Sequence, residues 1–411
     1  LSELNLNSSK IDALINEIKQ FAPSLKVHLY HGNQRHYQRE KFRSCNVILT
    51  SYGTLLSDEQ WMQKQKFHCL VLDESQTVKN SGTRTARALK KMNSKFRLAL
   101  SGTPLENNTL ELQALVDFLN PGYLGTKAWF RRRFTKPVER GQVEETRDLL
   151  KQLVEPMILR RTKNQVALEL PSKTESVVNL KMDDDQTQAY KETAKFYHKR
   201  VMSQINDTGL ERSGVYVLEG MLRLRQVCLE PQLANPEFDG ISSVKINYLQ
   251  ELLPELIAQD KRILLFSQFT SMLDKLAWML DGLQLDYERL QGQHDLKQRQ
   301  KAIDSFQSDC HLFLISLKAG GTALNLTAAD YVILLDPWWN PAAEAQAIDR
   351  AHRIGQNKPV MVYRLICENT IEEKILELQD KKRELFESVL GSQNGPLRQL
   401  SMQEVLDLFC N

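Results

Sequence analysis

The sequence lacks the residue spacings that indicate a metal centre or a disulfide framework. Its 6 cysteines are scattered and never spaced C-x-x-C, and its 8 histidines form no H-x-x-x-H pair. Structural zinc sites and small disulfide scaffolds depend on such spacings. We therefore expect reduced cysteines and no zinc held by cysteine or histidine.

Long apolar runs are missing as well. No stretch approaches the roughly 18 consecutive apolar residues of a membrane-spanning helix. The opening LSELNLNSSK has neither the basic region nor the apolar region of a signal peptide. The sequence predicts no membrane partner and no secretory signal, and we expect the protein inside the cell.

A third absence concerns nucleotide phosphates. The pattern G-x-x-x-x-G-K-S/T does not occur, and no glycine is followed by lysine. In proteins that carry this pattern, backbone amides and the lysine hold the phosphates of a bound nucleotide. The 411 residues therefore do not contain this phosphate-binding loop, which we call the phosphate cradle.

The sequence contains a repeated alternation of short apolar runs and helical stretches. Its 411 residues suffice for two to three domains, and 42% hydrophobic with 26% charged residues is ordinary for a globular protein. The runs are Val27–Tyr30, Val47–Leu49, Cys69–Leu72, Arg97–Leu100, Ile263–Phe266, Leu312–Ile315, Val332–Leu335 and Val360–Leu365. They predict an α/β fold with two parallel-sheet lobes, in residues 1–120 and 241–370.

The remaining stretches differ in composition. Residues 121–240 have few β-branched runs and many long charged side chains, which favours a helical insertion between the lobes. Residues 371–411 begin with a capping box, Thr370 and Glu373, which predicts a long terminal helix followed by a tail, with Gly391 as a helix stop.

Positive charge is concentrated in the first part of the chain. Residues 1–120 hold 16 basic against 11 acidic residues, whereas residues 241–411 hold 18 against 23. Two local clusters stand out, Lys127, Arg131, Arg132, Arg133 and Lys136, then Arg160, Arg161 and Lys163. These clusters suit contacts to phosphates. From charge alone, however, a helix face exposed to solvent is the commoner explanation.

The segment CLVLDESQ places acidic residues just beyond a buried strand. Ligands of parallel sheets bind at the carboxyl ends of the strands. Asp73 could hold Mg²⁺ through water, and Glu74 could orient or deprotonate an attacking water. Acidic residues also commonly begin loops, so the pair is informative only in its context.

Other strand ends carry small and charged residues that suit the same chemistry. Ser101, Gly102 and Thr103 follow one strand, and Gly320 and Gly321 follow another, where glycines permit close approach to a phosphate. Farther on, Arg350 and Arg353 are three residues apart, which would put both guanidiniums on one helical face. Two such groups could stabilise a transferring phosphoryl group, or form ordinary salt bridges.

The order and spacing of these segments resemble the SWI/SNF-type ATPases, the double-stranded-DNA translocases of helicase superfamily two. The matching motifs are DESQ (73–76), SGTPLENN (101–108), LLFSQFT (264–270), SLKAGGTALNLTAAD (316–330) and QAIDRAHRIGQ (346–356). TSYGTL (50–55), TVKN (77–80), LRRTK (159–163) and the strand and helix at 363–382 resemble further elements of the family, and LRQLSMQEVLDLF (397–409) resembles the tails of bacterial members.

The resemblance implies two RecA-like lobes with a helical insertion, ATP and Mg²⁺ as cofactors, and double-stranded DNA as partner. It assigns catalysis to Asp73, Glu74, Arg350 and Arg353, and Mg²⁺ to Asp73. It assigns nucleotide contacts to Gln76, Ser101, Gly102, Thr103, Gly320, Gly321 and Gln346. It assigns DNA contacts to Thr50, Ser51, Lys79, Asn80, Gln268, Lys318, Thr327 and Trp338.

Three departures from the family pattern qualify these assignments. Ser75 stands in place of the usual Ala of the second motif, Ala323 stands where Gly is common in the fifth, and the P-loop is absent. We expect a chain truncated after the P-loop rather than a degenerate enzyme, and little ATP turnover by this chain alone. The alternatives are a DNA clamp or scaffold that has lost turnover and an RNA-unwinding relative.

The wider setting is also an expectation. The motor would act as a monomer on duplex DNA and on a DNA-bound protein complex. It would work in the cytoplasm or nucleoid of a bacterium, or in the nucleus of a eukaryote.

Overall fold

The structure is a computed structural model of the chain and describes residues 8–78, 80, 82–101, 109–135, 144–159, 161, 163–167, 169–208, 210–290, 296–316 and 324–389. These residues divide into two compact units, the first comprising residues 8–159 and 385–389 and the second residues 161–384. None of the described helices is both long and apolar enough to cross a membrane.

In the described part of the first unit, parallel strands form two pairs. β1 (Val27–Leu29) pairs with β2 (Val47–Leu49), and β3 (Lys66–Leu72) pairs with β4 (Asn93–Ala99). The helices among the strands are α1 (Ser8–Phe21), α2 (Tyr52–Ser57), α3 (Glu59–Met62) and α4 (Arg84–Lys90), with 3₁₀ helices at Arg35–Arg43 and Ser75–Val78. After β4 come α5 (Thr109–Leu119), α6 (Lys127–Phe130), a π-helix at Arg131–Thr135, α7 (Glu144–Val154) and a 3₁₀ turn at Glu155–Met157.

An aromatic cluster surrounds the carboxylate of Asp58 near the start of the first unit. The fully buried ring of Tyr30 stacks on Trp61 at 5.5 Å between centroids. Its hydroxyl donates to Asp58 Oδ2 at 2.7 Å, and Arg35 Nε donates to the same oxygen at 2.8 Å. Burial of Asp58 disfavours its charge, but the hydrogen bonds from Arg35 and Tyr30 prevail and lower its pKa. A charged Asp58 therefore ties β1 to the turn between α2 and α3.

The second unit is built on a six-stranded parallel sheet in the order β5-β10-β9-β6-β8-β7. The strands are β5 (Lys173–Leu180), β6 (Ile263–Ser267), β7 (Tyr287–Leu290), β8 (Leu312–Ser316), β9 (Tyr331–Leu334) and β10 (Val360–Cys367). The helices are α8 (Lys163–Val166), α9 (Asp184–Thr208), α10 (Leu210–Leu229), α11 (Pro231–Ala234), α12 (Val244–Ala258), α13 (Thr270–Gly282), α14 (Leu296–Ser308), α15 (Pro341–Ile348) and α16 (Ile371–Val389), with a 3₁₀ turn at Pro236–Phe238.

Both faces of this sheet are covered by helices. Along β6, Leu264 and Phe266 belong to the apolar cluster that contains Phe306 of α14, whereas Ile263 and Leu265 belong to the opposite cluster. Every residue of β6 and β8 is buried. A strand buried on both faces is a continuous apolar run, which is why ILLFS and LFLIS could be recognised as strands of a parallel sheet.

The predicted fold class is confirmed, since both units combine parallel strands with helices. All eight apolar runs that predicted strands lie on strands of the structure, within a few residues of the expected ends. One difference is β5, which lies inside the stretch 121–240 that composition assigned to helices. It pairs with β10 along its whole length, from Lys173 beside Val360 to Leu180 beside Cys367. Its residues are mostly exposed or half-buried, so it lacks the apolar run of a central strand.

The terminal helix begins where the capping box predicted. Thr370 Oγ1 accepts from Glu372 N at 3.2 Å, and Glu373 Oε2 accepts from Asn369 N at 3.0 Å. The carboxylate thus reaches one residue beyond the expected partner. α16 ends at Val389, and Gly391 lies outside the described residues.

Candidate functional site

The DESQ segment and the segment that leads to Ser101 lie side by side. β3 and β4 are parallel, with Leu72 beside Ala99. Beyond the strands, Leu100 N donates to Leu72 O at 2.8 Å, and Ser75 N donates to Leu100 O at 2.9 Å. The backbones of the two expected nucleotide motifs therefore meet at one edge of this strand pair, as parallel strand ends should.

The turn that carries the acidic pair is strained. Glu74 has φ +47°, in the left-handed region that residues other than glycine seldom adopt. Its N–H donates to Asp73 Oδ1 at 2.9 Å, and the Tyr52 hydroxyl donates to the Asp73 carbonyl at 2.7 Å. Burial, followed by the nearby charges of Asp73 and Glu74, raises the pKa of Tyr52, which keeps this hydroxyl a donor. Strain held in this way is more typical of functional sites than of ordinary loops.

Ser75, which replaces the expected Ala, occupies a tight buried position. The residue is 2% exposed, and its Oγ has no hydrogen-bond partner among the described residues. A small side chain is needed here, but an unpaired buried hydroxyl is unfavourable by about 1–3 kcal/mol. Serine in place of the usual alanine therefore lowers the stability of the fold at this position.

The predicted DNA contacts of the first unit lie in turns with their own hydrogen bonds. Thr50 Oγ1 donates to Tyr30 O at 3.0 Å. Ser51 is buried and caps α2, since its Oγ accepts from Thr54 N at 3.1 Å. Asn80 is exposed, and its Oδ1 accepts from Gly82 N at 3.0 Å. Contact of these residues with DNA stays a prediction.

In the second unit, Asp336 follows β9 and is the centre of a buried polar cluster. It accepts from Ser267 Oγ at 2.6 Å, from Gln268 N at 3.2 Å and from Gln268 Nε2. Arg225 Nη2 donates to Asp336 Oδ2 at 3.1 Å and to Pro337 O at 2.7 Å. The amide of Gln268 thus binds the protein itself, and its predicted contact with DNA would require another rotamer.

The loop that follows Asp336 is held by two helices. Trp338 N donates to Glu344 Oε1 at 2.6 Å, and Gln379 Nε2 donates to Trp338 O and, at 2.9 Å, to Glu344 Oε1. Arg364 donates to Glu344 Oε2 at 3.3 Å and to Glu175 Oε2 at 2.7 Å. Burial raises the pKa of Glu344, and its hydrogen bonds and the charge of Arg364 oppose that rise. Both backbone polar groups of the half-buried Trp338 are therefore fixed.

The structure corrects the placement of the two arginines. Gln346 lies on α15, but this helix ends at Ile348, so Arg350 and Arg353 do not share a helical face. Beyond the helix the chain tightens into turns, with Arg350 N donating to Ala347 O at 3.1 Å and Gln356 N donating to Arg353 O at 2.9 Å. Arg350 is half-buried and Arg353 is exposed.

Side chains from distant segments hold this turn. Lys163 Nζ donates to His352 O at 2.8 Å and pairs with Asp349 Oδ1 at 2.6 Å. The His352 ring is 2.8 Å from Pro171 O, and Gln356 Nε2 donates to Ala329 O at 3.0 Å. Lys163, from the basic LRRTK segment, thus supports the arginine-bearing turn.

Several predicted residues cannot be placed. Lys79, Gly102, Thr103, Lys318, Gly320 and Gly321 lie outside the described residues, as does the side chain of Gln76. Ser101 and Thr327 are half-buried. The roles assigned to all predicted site residues stay predictions.

A fully buried ion pair was missed by the sequence reasoning. Lys245 Nζ is 2.7 Å from Glu372 Oε2 and donates to Leu335 O at 2.6 Å and to Leu365 O at 2.9 Å. The ammonium group of Lys245 thus connects the carboxyl ends of β9 and β10 to the first turn of α16. The available signal was a lysine inside the apolar stripe of α12, and Arg225 in α10 offers a similar one.

The same region contains the one group of potential metal ligands among the described residues. Sulfur and oxygen atoms of Cys228, Cys367 and Glu372 lie within 4.8 Å of one another. Burial raises the pKa of Cys228 well above its usual value, so its thiol keeps the proton. Lys245 also neutralises the carboxylate of Glu372, so this cluster is unsuited to a cation.

Comparison with known families matches both units. Residues 7–233 match the SNF2-related domain, and residues 244–355 match the helicase conserved C-terminal domain. The first match alone covers more than half of the chain. The chain therefore belongs to the SNF2 (SWI/SNF) family.

Individual relatives cover nearly all of this chain. The Bacillus subtilis protein YwqA, named as an ATP-dependent helicase/translocase, is 36% identical over 96% of this chain and 43% of its own length. The human lymphoid-specific helicase is 33% identical over 92% of this chain and 56% of its own length. A Sulfolobus solfataricus SWI2/SNF2 ATPase core in complex with dsDNA has 31% identity, covers 98% of this chain and 84% of that chain, and has a TM-score of 0.49. This chain thus spans only part of its curated relatives.

Proposed function

We propose that this chain is the motor portion of an ATP-dependent double-stranded-DNA translocase. The observation that carries the proposal is the pairing of β3 and β4, which brings Asp73, Glu74 and Ser101 to one sheet edge. Glu74 stands in that position with its backbone in the left-handed region, at φ +47°. Family membership and the names of the relatives support ATP as the fuel.

The residues of the first unit suit Mg²⁺ and an attacking water. Asp73 is an exposed carboxylate whose Oδ1 accepts the backbone N–H of Glu74. Oxygen ligands of this kind are preferred by Mg²⁺, which usually keeps several of its waters. Asp73 would hold the ion through water, and Glu74 would orient the water that attacks the terminal phosphate.

We assign the stabilisation of the transferring phosphoryl group to Arg350 and Arg353. Arg350 and Arg353 lie in a turn that Lys163, His352 and Gln356 hold in place. A fixed turn positions guanidiniums as well as a helix would, and an arginine that meets the developing charge accelerates phosphoryl transfer. Gln346, on the preceding helix, would contact the nucleotide.

The finer statements about turnover depend on the phosphate cradle. No G-x-x-x-x-G-K-S/T pattern occurs in these residues, so we propose that this chain alone hydrolyses little ATP. A second candidate function, supported by the same observation, is a DNA clamp that no longer turns over ATP. The presence of Glu74, Arg350 and Arg353 favours the motor, since hydrolysis is their evident use.

We propose duplex DNA as the track, gripped through its phosphates. Thr50, Ser51, Lys79, Asn80, Gln268, Lys318, Thr327 and Trp338 are the proposed contacts. Phosphate contacts position a protein without reading sequence, so binding would be non-specific and would weaken steeply with salt. The motor would work as a monomer against a DNA-bound protein, in the cytoplasm, nucleoid or nucleus.

The test is ATP hydrolysis with and without duplex DNA. It compares residues 1–411 with a chain that includes any native sequence upstream of Leu1, and Glu74→Gln is the control in both. Strong duplex stimulation in the longer chain that Glu74→Gln removes supports the motor. Duplex binding by folded protein without turnover would support the clamp. Robust turnover by residues 1–411 that depends on Glu74 would refute the claim about the phosphate cradle.

A further inference from the structure

One basic cluster has no part in the proposed motor site. It covers α6 and the π-helix of the first unit, where Lys127, Arg131, Arg132 and Arg133 are all exposed. Among the described residues, none of the four forms a salt bridge with a carboxylate. The Arg133 guanidinium lies over the Phe134 ring, 5.9 Å from its centroid. These four side chains are called the basic ridge below.

The backbone beneath the basic ridge is firmly anchored. Phe130, Phe134 and Thr135 are buried, and both phenylalanines belong to an apolar cluster with Leu112 of α5 and Val154 of α7. Thr126 caps α6 by accepting from Trp129 N at 3.2 Å. A π-helix is an uncommon element that recurs at functional sites. Here it puts three consecutive arginines outward while the next two side chains remain buried.

An aromatic ring lies among these cations and is held in place. Trp129 is 46% exposed. Its Cε3 would lie 2.9 Å from a Cβ at Gly125, whose φ is +69°, so the indole rests directly on this glycine. The ring also meets Phe134 edge-on at 5.8 Å between centroids. The surface thus combines fixed aromatic area with unpaired positive charge.

We propose that the basic ridge and Trp129 form a second duplex-DNA surface, separate from the motif residues, which grips the phosphate backbone. This inference rests on the proposed function, which brings a duplex to the first unit. Guanidiniums match phosphate geometry through two parallel N–H donors. The cores of protein interfaces are apolar with few charges, whereas this surface has one apolar side chain among four cations. An acidic protein therefore fits it less well than DNA.

The test is duplex binding by the full chain, measured by fluorescence anisotropy over a series of salt concentrations. The variant is Arg131→Ala/Arg132→Ala/Arg133→Ala, and the control is Lys191→Ala/Lys195→Ala/Lys199→Ala, which removes equal charge from an exposed face of α9. Each lost phosphate contact should reduce the slope of log K against log salt by about 0.9. We expect a slope shallower by about 2 to 3 and affinity at least about tenfold weaker at 0.1 M salt. The control should stay within about twofold of the parent.

Each other outcome overturns the proposal. An unchanged slope in the arginine variant would remove the basic ridge from the DNA interface, and equal weakening in the lysine control would show an effect of net charge alone. Polyglutamate serves as a second ligand that stands for an acidic protein. If the arginine variant loses binding to polyglutamate but keeps its binding to duplex DNA, the surface belongs to an acidic protein. If the parent chain binds no duplex, the proposed function itself fails, whereas parent binding with an unchanged slope in the variant refutes only the ridge. Circular dichroism melting of all three proteins checks their folding.

Discussion

Glu344, a residue that is only 1% exposed, accepts a hydrogen bond from the backbone N–H of Trp338 at 2.6 Å. Glu344 lies in the middle of α15, the helix that precedes Arg350 and Arg353 in the chain. Gln379 of α16 donates to both Trp338 O and Glu344 Oε1. The proposed DNA-contact loop and the arginine-bearing segment thus share one buried anchor.

The first prediction concerns this anchor. Glu344→Ala should lower the free energy of unfolding of the second unit by about 2–4 kcal/mol, because Trp338 N, Gln379 and Arg364 all lose a buried acceptor. Glu344→Gln, which keeps one acceptor oxygen, should cost less. Urea denaturation measures both. Glu377→Ala on the exposed side of α16 is the control, and a cost for Glu344→Ala no greater than that control would contradict the anchor.

The second prediction is a pH dependence from Glu175. Burial opposes its charge, but hydrogen bonds from Lys173 and Arg364 prevail and lower its pKa to about 2. A carboxylate with a lowered folded-state pKa stabilises the fold above its unfolded pKa, and this contribution is lost as pH falls toward 2. The stability difference between the parent and Glu175→Gln should be at most about 3 kcal/mol at pH 6 and should shrink steadily below pH 4.5. Glu169→Gln, a change at an exposed carboxylate, is the control.

The third prediction concerns the buried pair of Lys245 and Glu372, whose side chains are both 0% exposed. Lys245→Met should cost about 3–5 kcal/mol of unfolding free energy, since it leaves an uncompensated buried carboxylate. Adding Glu372→Gln should restore part of that loss, because the orphan charge is gone. A double-mutant cycle by urea denaturation gives the coupling. Strictly additive costs would mean that the two charges do not stabilise each other.

The fourth prediction contrasts two buried serines. Ser75→Ala removes a hydroxyl without a partner among the described residues, so stability should stay equal or rise by about 1 kcal/mol. Ser267→Ala removes the donor to Asp336 and the acceptor for Phe269 N, so stability should fall by about 1–3 kcal/mol. Thermal melting of both variants measures the contrast. A loss for Ser75→Ala as large as that for Ser267→Ala would show that the Ser75 hydroxyl has a partner.

The fifth prediction separates catalysis from DNA binding. In a chain that includes any native sequence upstream of Leu1, Arg353→Ala should leave duplex affinity within about twofold and reduce DNA-stimulated ATP hydrolysis at least about a hundredfold. Arg353→Lys keeps the charge but loses the planar fork, so it should rescue little of the turnover. Equal loss of binding and hydrolysis in Arg353→Ala would assign the exposed arginine a structural role instead.

The sequence by itself determined the α/β class, most strand positions and the family. Central strands of a parallel sheet are apolar throughout, and each motif is a contiguous segment. Both can therefore be recognised in the sequence without any knowledge of distant contacts. The edge strand β5 could not be predicted from the sequence. It becomes a strand by pairing with β10, a partner almost two hundred positions later in the chain.

Only the tertiary structure decided which polar groups the site relies on. Arg225 meets Asp336 across 111 positions, and Lys245 meets Glu372 across 127. It also decided that α15 ends at Ile348, ahead of both arginines, because Lys163 and distant carbonyls hold the following turn. A local pattern shows that a residue is charged or apolar. The free energy of burying that charge depends on which partner the fold brings to it.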